Sequence, residues 1–251
     1  MSNTDFKVDW AEPVILAIDT SSSEARLAVS SAENIIAALT IRDNRPHSQT
    51  LFSQISTILQ LAEIKIQDIG AFAVATGPGS FTGLRVGLAA IKGLADSLSK
   101  PCLGVDSLDL LALVSGLDGA HLVMISAGRG EVYCGFRDVA SGDIVNGSMS
   151  DKVGDPSSVL RAMTQYLRLP KLIITGDVGY KYEDEVLDFI RQLQVDGAWG
   201  LNPLQTVFLK PASNISAVLA QRVAFLMKRN QVAPVMPHYI RQSDAEIKWK
   251  R

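Results

Sequence analysis

VILAIDTSSSEARLAVSSAENII, residues 14–36, and LVMISAGRGEVYCGFRDVASGDIV, residues 122–145, share one rhythm. Each opens with an apolar run rich in β-branched residues, the pattern of a strand buried on both faces. Each then passes through a turn of small polar residues, returns as a second strand, turns again and enters a third. Asp19 of the first stretch and Ser126 of the second stand 107 positions apart. Identity between the two is low, but the repeated order predicts two related lobes, each starting with a three-strand meander. The fold class that follows is α/β, with two duplicated lobes built on mixed sheets.

Outward from these meanders, Pro46 opens a helix, with Leu51, Ile55, Ile58, Leu59 and Ala62 at helical spacing to about Glu63. AFAVAT is a second buried strand, a helix runs from about Ser80 to Leu98, CLGV is a strand and DSLDLLALV a short helix. The second half continues with a helix near 156–168, the strand KLIIT before Gly176, and a helix near 181–194. SNISAVLAQRVAFLMKRN is a helix capped by Ser213 or Asn214. The tail from Val232 carries two prolines and ends in KWKR, so extended and partly mobile chain is expected there. The implied division is an N-terminal extension at 1–13, a first lobe at 14–105, a second at 106–231 whose last helix is expected to pack back on the first, and a tail at 232–251.

Composition is that of a soluble globular protein: 251 residues, 47% hydrophobic and 20% charged, with a net charge of −2. A protein that grips nucleic acid unaided shows a basic surplus, and this one does not. No apolar run approaches the ~18 residues needed to cross a bilayer. The polar, acidic start MSNTDFKVDWAEP lacks the basic and apolar segments of a signal peptide, which predicts a cytoplasmic address. Cys102 and Cys134 read as reduced, buried thiols. His47, His121 and His238 are scattered through the chain and read as surface or capping residues rather than metal ligands.

ATGPGSFTGLRVG, residues 75–87, resembles a phosphate-binding loop. A Walker loop would need lysine after the second glycine, and Gly83 is followed by Leu84. A dinucleotide fingerprint fits Gly77 and Gly79, but the third glycine comes one residue late and Pro78 stiffens the turn. No tyrosine has lysine four residues on, no G-x-S-x-G elbow is present because Ser80 stands one place early, and no H-E-x-x-H occurs. Two readings remain. Asp19, Thr20, Gly77, Gly79, Ser80 and Gly83 could contact an anion or nucleotide through N–H groups and a carboxylate. The favoured reading is that the glycines permit a tight turn and close helix packing. The helix that follows, FTGLRVGLAAIKGLADSL, is apolar or small on nearly all sides, with Arg85, Lys92 and Asp96 as its narrow polar stripe. That is too little polar surface for a half-solvated helix, so Gly83, Gly87 and Ala90 are expected to receive another helix, in part from a partner protein.

Taken in order, ILAIDTSSSEARLAV, HSQTLFSQI, GPGSFTGLRVGLAAIKGLA, RGEVYCGF and PHYIRQSDAE closely resemble the bacterial TsaB family, also called YeaZ. The resemblance runs from Val14 to about Glu246, and the GPGSFTGLR-G run is its most specific part. It implies the two-lobed fold of actin, sugar kinases and Hsp70. It also implies a role in making threonylcarbamoyladenosine beside the anticodon of tRNAs that read codons starting with A. In that role the family member is not the catalyst. It pairs with the transferase TsaD and helps recruit the ATPase TsaE, meets tRNA only through the complex, and forms a homodimer when alone.

The residues can be set against that role. TsaD carries a His-x-x-x-His metal pair after its GPG helix, and the matching positions here are Ser107 and Leu111. Relatives in the superfamily place an acid in each lobe's first hairpin turn. Asp19 stands in the first, whereas the second offers Ser126 within SAGRG, where many family members read Asp-Ala-Arg. The expectation is therefore no catalytic residues, no metal site, and no cofactor on the isolated chain, with ATP or ADP and metal entering through the partner complex. Leu51, Gln54, Phe81, Leu84, Arg85 and Leu88 are the expected partner contacts. The competing expectation is a nucleotide-dependent kinase or ATPase.

Overall fold

The computed structural model describes residues 13–31, 34–146, 151–163, 172–195, 206–209, 214–231 and 235–240. The N-terminal extension up to residue 12, Ser213 and the basic end of the tail lie outside the described residues. The first lobe runs β1 (Val14–Asp19), β2 (Glu24–Ser31), β3 (Asn34–Arg42), α1 (His47–Leu61), β4 (Ala71–Ala75), α2 (Phe81–Leu98), β5 (Cys102–Val105) and α3 (Ser107–Leu113). The second runs β6 (Gly119–Gly128), β7 (Glu131–Ala140), β8 (Asp143–Asn146), β9 (Lys152–Gly154), α4 (Pro156–Met163), β10 (Leu172–Thr175), α5 (Glu183–Val195), β11 (Thr206–Phe208) and α6 (Ile215–Lys228).

The duplication is explicit in the strand order. The first sheet reads β3-β2-β1-β4-β5, and the second reads β8-β7-β6-β10-β11, with β9 added beside β7. In both, the opening three strands are antiparallel and the next two join in parallel. Parallel neighbours need a crossover, and α2 and α5 supply it in the two lobes.

Side-chain alternation sets how closely each face is approached. In the first sheet, Leu16, Ile18, Leu27, Val29, Phe72 and Val74 point to one side, where α1 and α2 cover them. The other side shows Ala17, Ala28, Ala71, Ala73 and Ala75, a low surface that admits α6, beside which α3 packs against β6 and β7 of the second sheet. That same core continues into Val123, Ile125 and Val139 of the second sheet. Ala120, Leu122 and Met124 face the opposite way, onto α4 and α5. The order of layers is helices, sheet, helices, sheet, helices. The central pair belongs to both lobes, and Arg222 of α6 also reaches Asp143 at the start of β8, 2.5 Å away.

The near absence of a polar face on α2 has an internal cause: the expected contribution of α1 is present, and the share expected from a partner at Gly83 and Gly87 is taken by the chain itself. Leu84, Leu88, Ile91 and Ala95 lie in the core beneath the helix, and α1 covers a second flank. The small surface at Gly83 and Gly87 faces Thr20 of the same chain rather than a foreign helix. The tail differs as well. Residues 235–240 are extended, but Val235 is buried in the first lobe's core and the His238 N–H donates to the Thr76 carbonyl at 2.8 Å.

Candidate functional site

Between the lobes lies a cleft of about 760 Å³. Its rim comes from the turn after β1, the GPG loop, the first turn of α2, the β6–β7 hairpin, Asp177 after β10, and His238 to Ile240 of the tail. Its floor is apolar, with Leu84, Leu110, Leu111, Ile125 and Ile215.

Most of the first lobe's polar groups at this site are already paired within the chain. Asp19 is buried; its Oδ1 accepts from the Ser21 N–H at 2.8 Å and its Oδ2 from Arg26 Nη1 at 3.0 Å. The Thr20 hydroxyl donates to the Gly83 carbonyl at 2.8 Å. In the loop, the Ser80 N–H is taken by the Ser21 carbonyl at 2.7 Å, the Gly83 N–H by the Ser80 hydroxyl at 3.3 Å, and the Leu84 N–H by the Ser80 carbonyl at 2.8 Å. Gly79 and Gly83 pack against the turn after β1: a Cβ on either would lie 2.5 or 2.0 Å from the carbonyl oxygens of Ser21 and Thr20 respectively. Gly77 has φ +105°, and a Cβ there would lie 2.9 Å from the His238 carbonyl oxygen. The loop that looked like a phosphate cradle thus serves helix packing and tail docking.

The second lobe does bring a carboxylate to the cleft, from an unexpected place. Asp177, in the turn after β10, accepts from the Ser126 N–H at 2.8 Å. Burial raises its pKa, and that hydrogen bond opposes the rise. The acid sought in the β6–β7 hairpin is supplied by the strand next to it. Its signal in the sequence was the glycine-acid pair directly after KLIIT.

Sequence reasoning missed a second group altogether. Arg137, on β7, is fully buried and reaches three aspartates. Its Nε donates to Asp109; its Nη1 donates to Asp151 at 2.7 Å and to the Phe136 carbonyl at 3.0 Å; its Nη2 donates to Asp106 at 3.1 Å and Asp151 at 3.0 Å. Burial works against its charge, but the three carboxylates outweigh that and raise its pKa. Burial and the neighbouring Asp106 raise the pKa of Asp109. His238 joins the group, with Nδ1 hydrogen-bonded to Asp106 and Nε2 3.9 Å from Asp151. Donor atoms of Asp106, Asp151 and His238 lie within 4.8 Å of one another, as metal ligands would. The Arg137 guanidinium is bonded to both aspartates, so it already supplies the positive charge a metal would bring. This is an ion-pair network.

Two of the three histidines differ from the expected surface or capping role. His121 is fully buried, with Nε2 2.7 Å from the Ser115 hydroxyl and Nδ1 2.9 Å from the Gly119 carbonyl. His238 is half-buried in the network, and His47 meets the Ser22 carbonyl at 2.9 Å. Both cysteines are held as thiols by burial, with Cys102 pushed up to about 12 and Cys134 further.

The six expected partner contacts divide into two groups. Leu51, Gln54, Leu84 and Leu88 are buried beneath α1 and α2, so they are corrected from surface to core. Their spacing marks the helices' inner stripe, because on a helix packed on a sheet the apolar positions face the sheet. Phe81 is partly exposed and Arg85 exposed, with the Arg85 guanidinium carbon 3.8 Å from the Phe81 ring centre. The apolar side chains that do reach solvent here are Phe52, 61% exposed, and Leu61, 62% exposed, both on α1.

The family model for tRNA N6-adenosine threonylcarbamoyltransferase (TsaD) matches residues 34–249. The chain is 28% identical to the tRNA threonylcarbamoyladenosine biosynthesis protein TsaB of Bacillus subtilis, over 94% of this chain and 97% of that protein. It is 32% identical to TsaB of Escherichia coli over 60% of this chain and 66% of that protein. Among solved structures, YeaZ from Pseudomonas aeruginosa superposes with a TM-score of 0.67 at 22% identity, covering 90% of this chain and 99% of that one. The ROK hexokinase of Thermus thermophilus superposes with a TM-score of 0.52 at 10% identity, covering 86% and 99%, which places the fold with the sugar kinases. No helix among the described residues is long and apolar enough to cross a membrane. With the duplicated sheets, the GPG loop packed on the turn after β1, and the Bacillus subtilis relative and the Pseudomonas aeruginosa structure matched along nearly their whole length, the chain belongs to the TsaB (YeaZ) family, within the group that the transferase model spans.

Proposed function

We propose that this chain is a non-catalytic subunit for threonylcarbamoyl transfer to tRNA, binding a TsaD-type transferase and helping to recruit TsaE. The carrying observation lies at the positions of the transferase's metal pair. Ser107 is 4% exposed as the first residue of α3, and Leu111 is 7% exposed in the inter-lobe core. Both line the inter-lobe cleft, and where the transferase would present two metal ligands this chain offers a hydroxyl and an apolar side chain, which supports a role without catalysis.

On this reading the docking surface is the outward side of α1 and α2, with Phe52, Phe81 and Arg85 as its anchors. Aromatic and arginine side chains are the usual hot spots of such surfaces. Two copies pair through the same face when the transferase is missing, as a two-fold interface allows. Nucleotide and metal enter with the partner, tRNA is met only through the complex, and the cytosol is the site of action.

Phe52→Glu and Arg85→Glu are expected to leave the isolated chain's stability within about 0.5 kcal/mol of wild type. Both are expected to abolish the mixed complex with the transferase on a sizing column and to stop tRNA modification in a reconstituted system. Modification at the full rate without this chain would reject the subunit role.

A second reading is favoured by one observation: Asp177 gives the cleft the second carboxylate that the hairpin lacks. A nucleotide-dependent enzyme would place phosphates and Mg²⁺ between Asp19 and Asp177. Calorimetry with ATP and Mg²⁺ on the isolated chain separates the two. Binding lost in both Asp19→Ala and Asp177→Ala, together with turnover, would displace the subunit reading.

A further inference from the structure

We propose that residues 235–240 form a latch across the mouth of the inter-lobe cleft, locked by the ion pair that protonated His238 makes with Asp106 and Asp151. This goes beyond the partner role and does not depend on it.

The latch is anchored on both lobes. On the first, Val235 is buried in the core, and a Cβ at Gly104 would stand 3.5 Å from it. The His238 N–H donates to the Thr76 carbonyl at 2.8 Å, and Gly77 leaves room for the His238 carbonyl. The Tyr239 ring lies 5.1 Å from that of Phe81. On the second, the His238 ring reaches Asp151, which leads into β9, beside Arg137 of β7. Asp106, the cap of α3 where the lobes join, holds the other ring nitrogen. His238, Tyr239 and Ile240 line the cleft, so the segment covers part of its opening.

The lock follows from charge. The groups facing His238 are Asp106 and, through Arg137, Asp109 from α3, Asp151 ahead of β9, and Arg137 from β7. Three carboxylates face one guanidinium, so the network has room for one more positive charge. The Asp106 hydrogen bond is the main cause raising His238 above its ordinary 6.5, while burial and Arg137 oppose it. The docked segment thus binds a proton more tightly than the free one. Docking is strongest below pH 6.5 and is lost as pH rises through the elevated value. Within that window its equilibrium constant falls by at most about tenfold per pH unit, the limit for one linked proton.

Hydrogen exchange on the full chain tests this, with amide protection at Met236, His238, Tyr239 and Ile240 corrected for intrinsic exchange. In wild type, protection is expected to fall from below pH 6.5 to above the His238 titration, by the ratio that the measured His238 shift itself sets when its ring proton is followed by NMR. In His238→Gln, protection is expected to be low and independent of pH. Tyr239→Ala removes apolar contact and leaves the charges, so its protection is expected to be lower at every pH with the slope kept. Cleft cover is read at one fixed pH, 6.0, by maleimide labelling of Ala127→Cys, a cleft-lining position, in a Cys102→Ser background; native Cys134 is buried. Labelling is expected to be several-fold faster when His238→Gln is added. Protection that does not change with pH in wild type, protection in His238→Gln equal to wild type, or equal labelling rates would each overturn the latch.

Discussion

Arg137→Met is expected to lower the free energy of unfolding by about 3–5 kcal/mol at neutral pH, measured by urea denaturation. The side chain has no exposed surface and donates to three carboxylates from α3 and the segment before β9. Methionine fills most of its volume, so the loss comes from charge rather than from a cavity. Asp106, Asp109 and Asp151 would remain together, desolvated, with His238 alone to offset them. The sign of the pH dependence follows. Asp109 is already raised by burial and Asp106, and removing Arg137 takes away what lowers it. A carboxyl with a raised folded pKa costs stability while it is ionised, and the cost is relieved as pH falls through that value. The gap between wild type and Arg137→Met should therefore narrow in acid. Arg137→Lys keeps the charge but not the fork that reaches three partners, so it should recover only part of the loss. A difference under about 1 kcal/mol at pH 7 for Arg137→Met would show that the network contributes specificity and not stability.

How far the sequence reveals this molecule depends on the range of the interactions involved. The two meanders and their repetition were legible because alternation and turn residues are local signals: the first sheet follows the expected pattern from β1 to β5, and the second follows it through β6, β7, β8 and β10, whereas β9 and β11 were not foreseen. The inner stripes of α1 and α2 were legible too, but they were assigned to a partner. Periodicity shows which side of a helix is apolar and not what covers it. The Arg137 network was not legible, since Asp106 and His238 are 132 residues apart and no spacing rule joins them. One local clue existed. EVYCGFRDVA puts an arginine on the same strand face as Val139, in a strand whose other face is filled by Val132 and Cys134, and a charge there needs buried partners. Gly135 is the companion sign: a Cβ at that position would lie 2.3 Å from Asp151 and 2.8 Å from the Arg137 guanidinium. Asp177 was missed because the duplicated hairpin was searched for its acid, whereas the cleft takes its carboxylate from the neighbouring parallel strand.

The same substitution at two glycines of one helix should give opposite results, which separates close packing from helix propensity. Gly93→Ala lies on the exposed side of α2 with nothing within 4 Å of the new Cβ. It is expected to stabilise the protein by roughly 0.5–1 kcal/mol, because alanine loses less backbone freedom than glycine on entering a helix. Gly83→Ala gains the same propensity but places its Cβ 2.0 Å from the Thr20 carbonyl oxygen, where contacts under 3.0 Å are essentially never found. Both atoms belong to backbone that cannot rotate away, so α2 must retreat from the end of β1 by at least 1 Å. That retreat strains the Thr20 hydroxyl bond to the Gly83 carbonyl and loosens the contact of Ser80 with the turn after β1. Overpacking of this kind costs roughly 3 kcal/mol, which puts the two variants about 4 kcal/mol apart in urea denaturation. The structural effect should extend to the cleft rim, since Phe81 opens the same helix and carries Tyr239. Equal stability of the two variants would mean that Gly83 serves only the turn, and that its nearness to Thr20 does not hold the first lobe together.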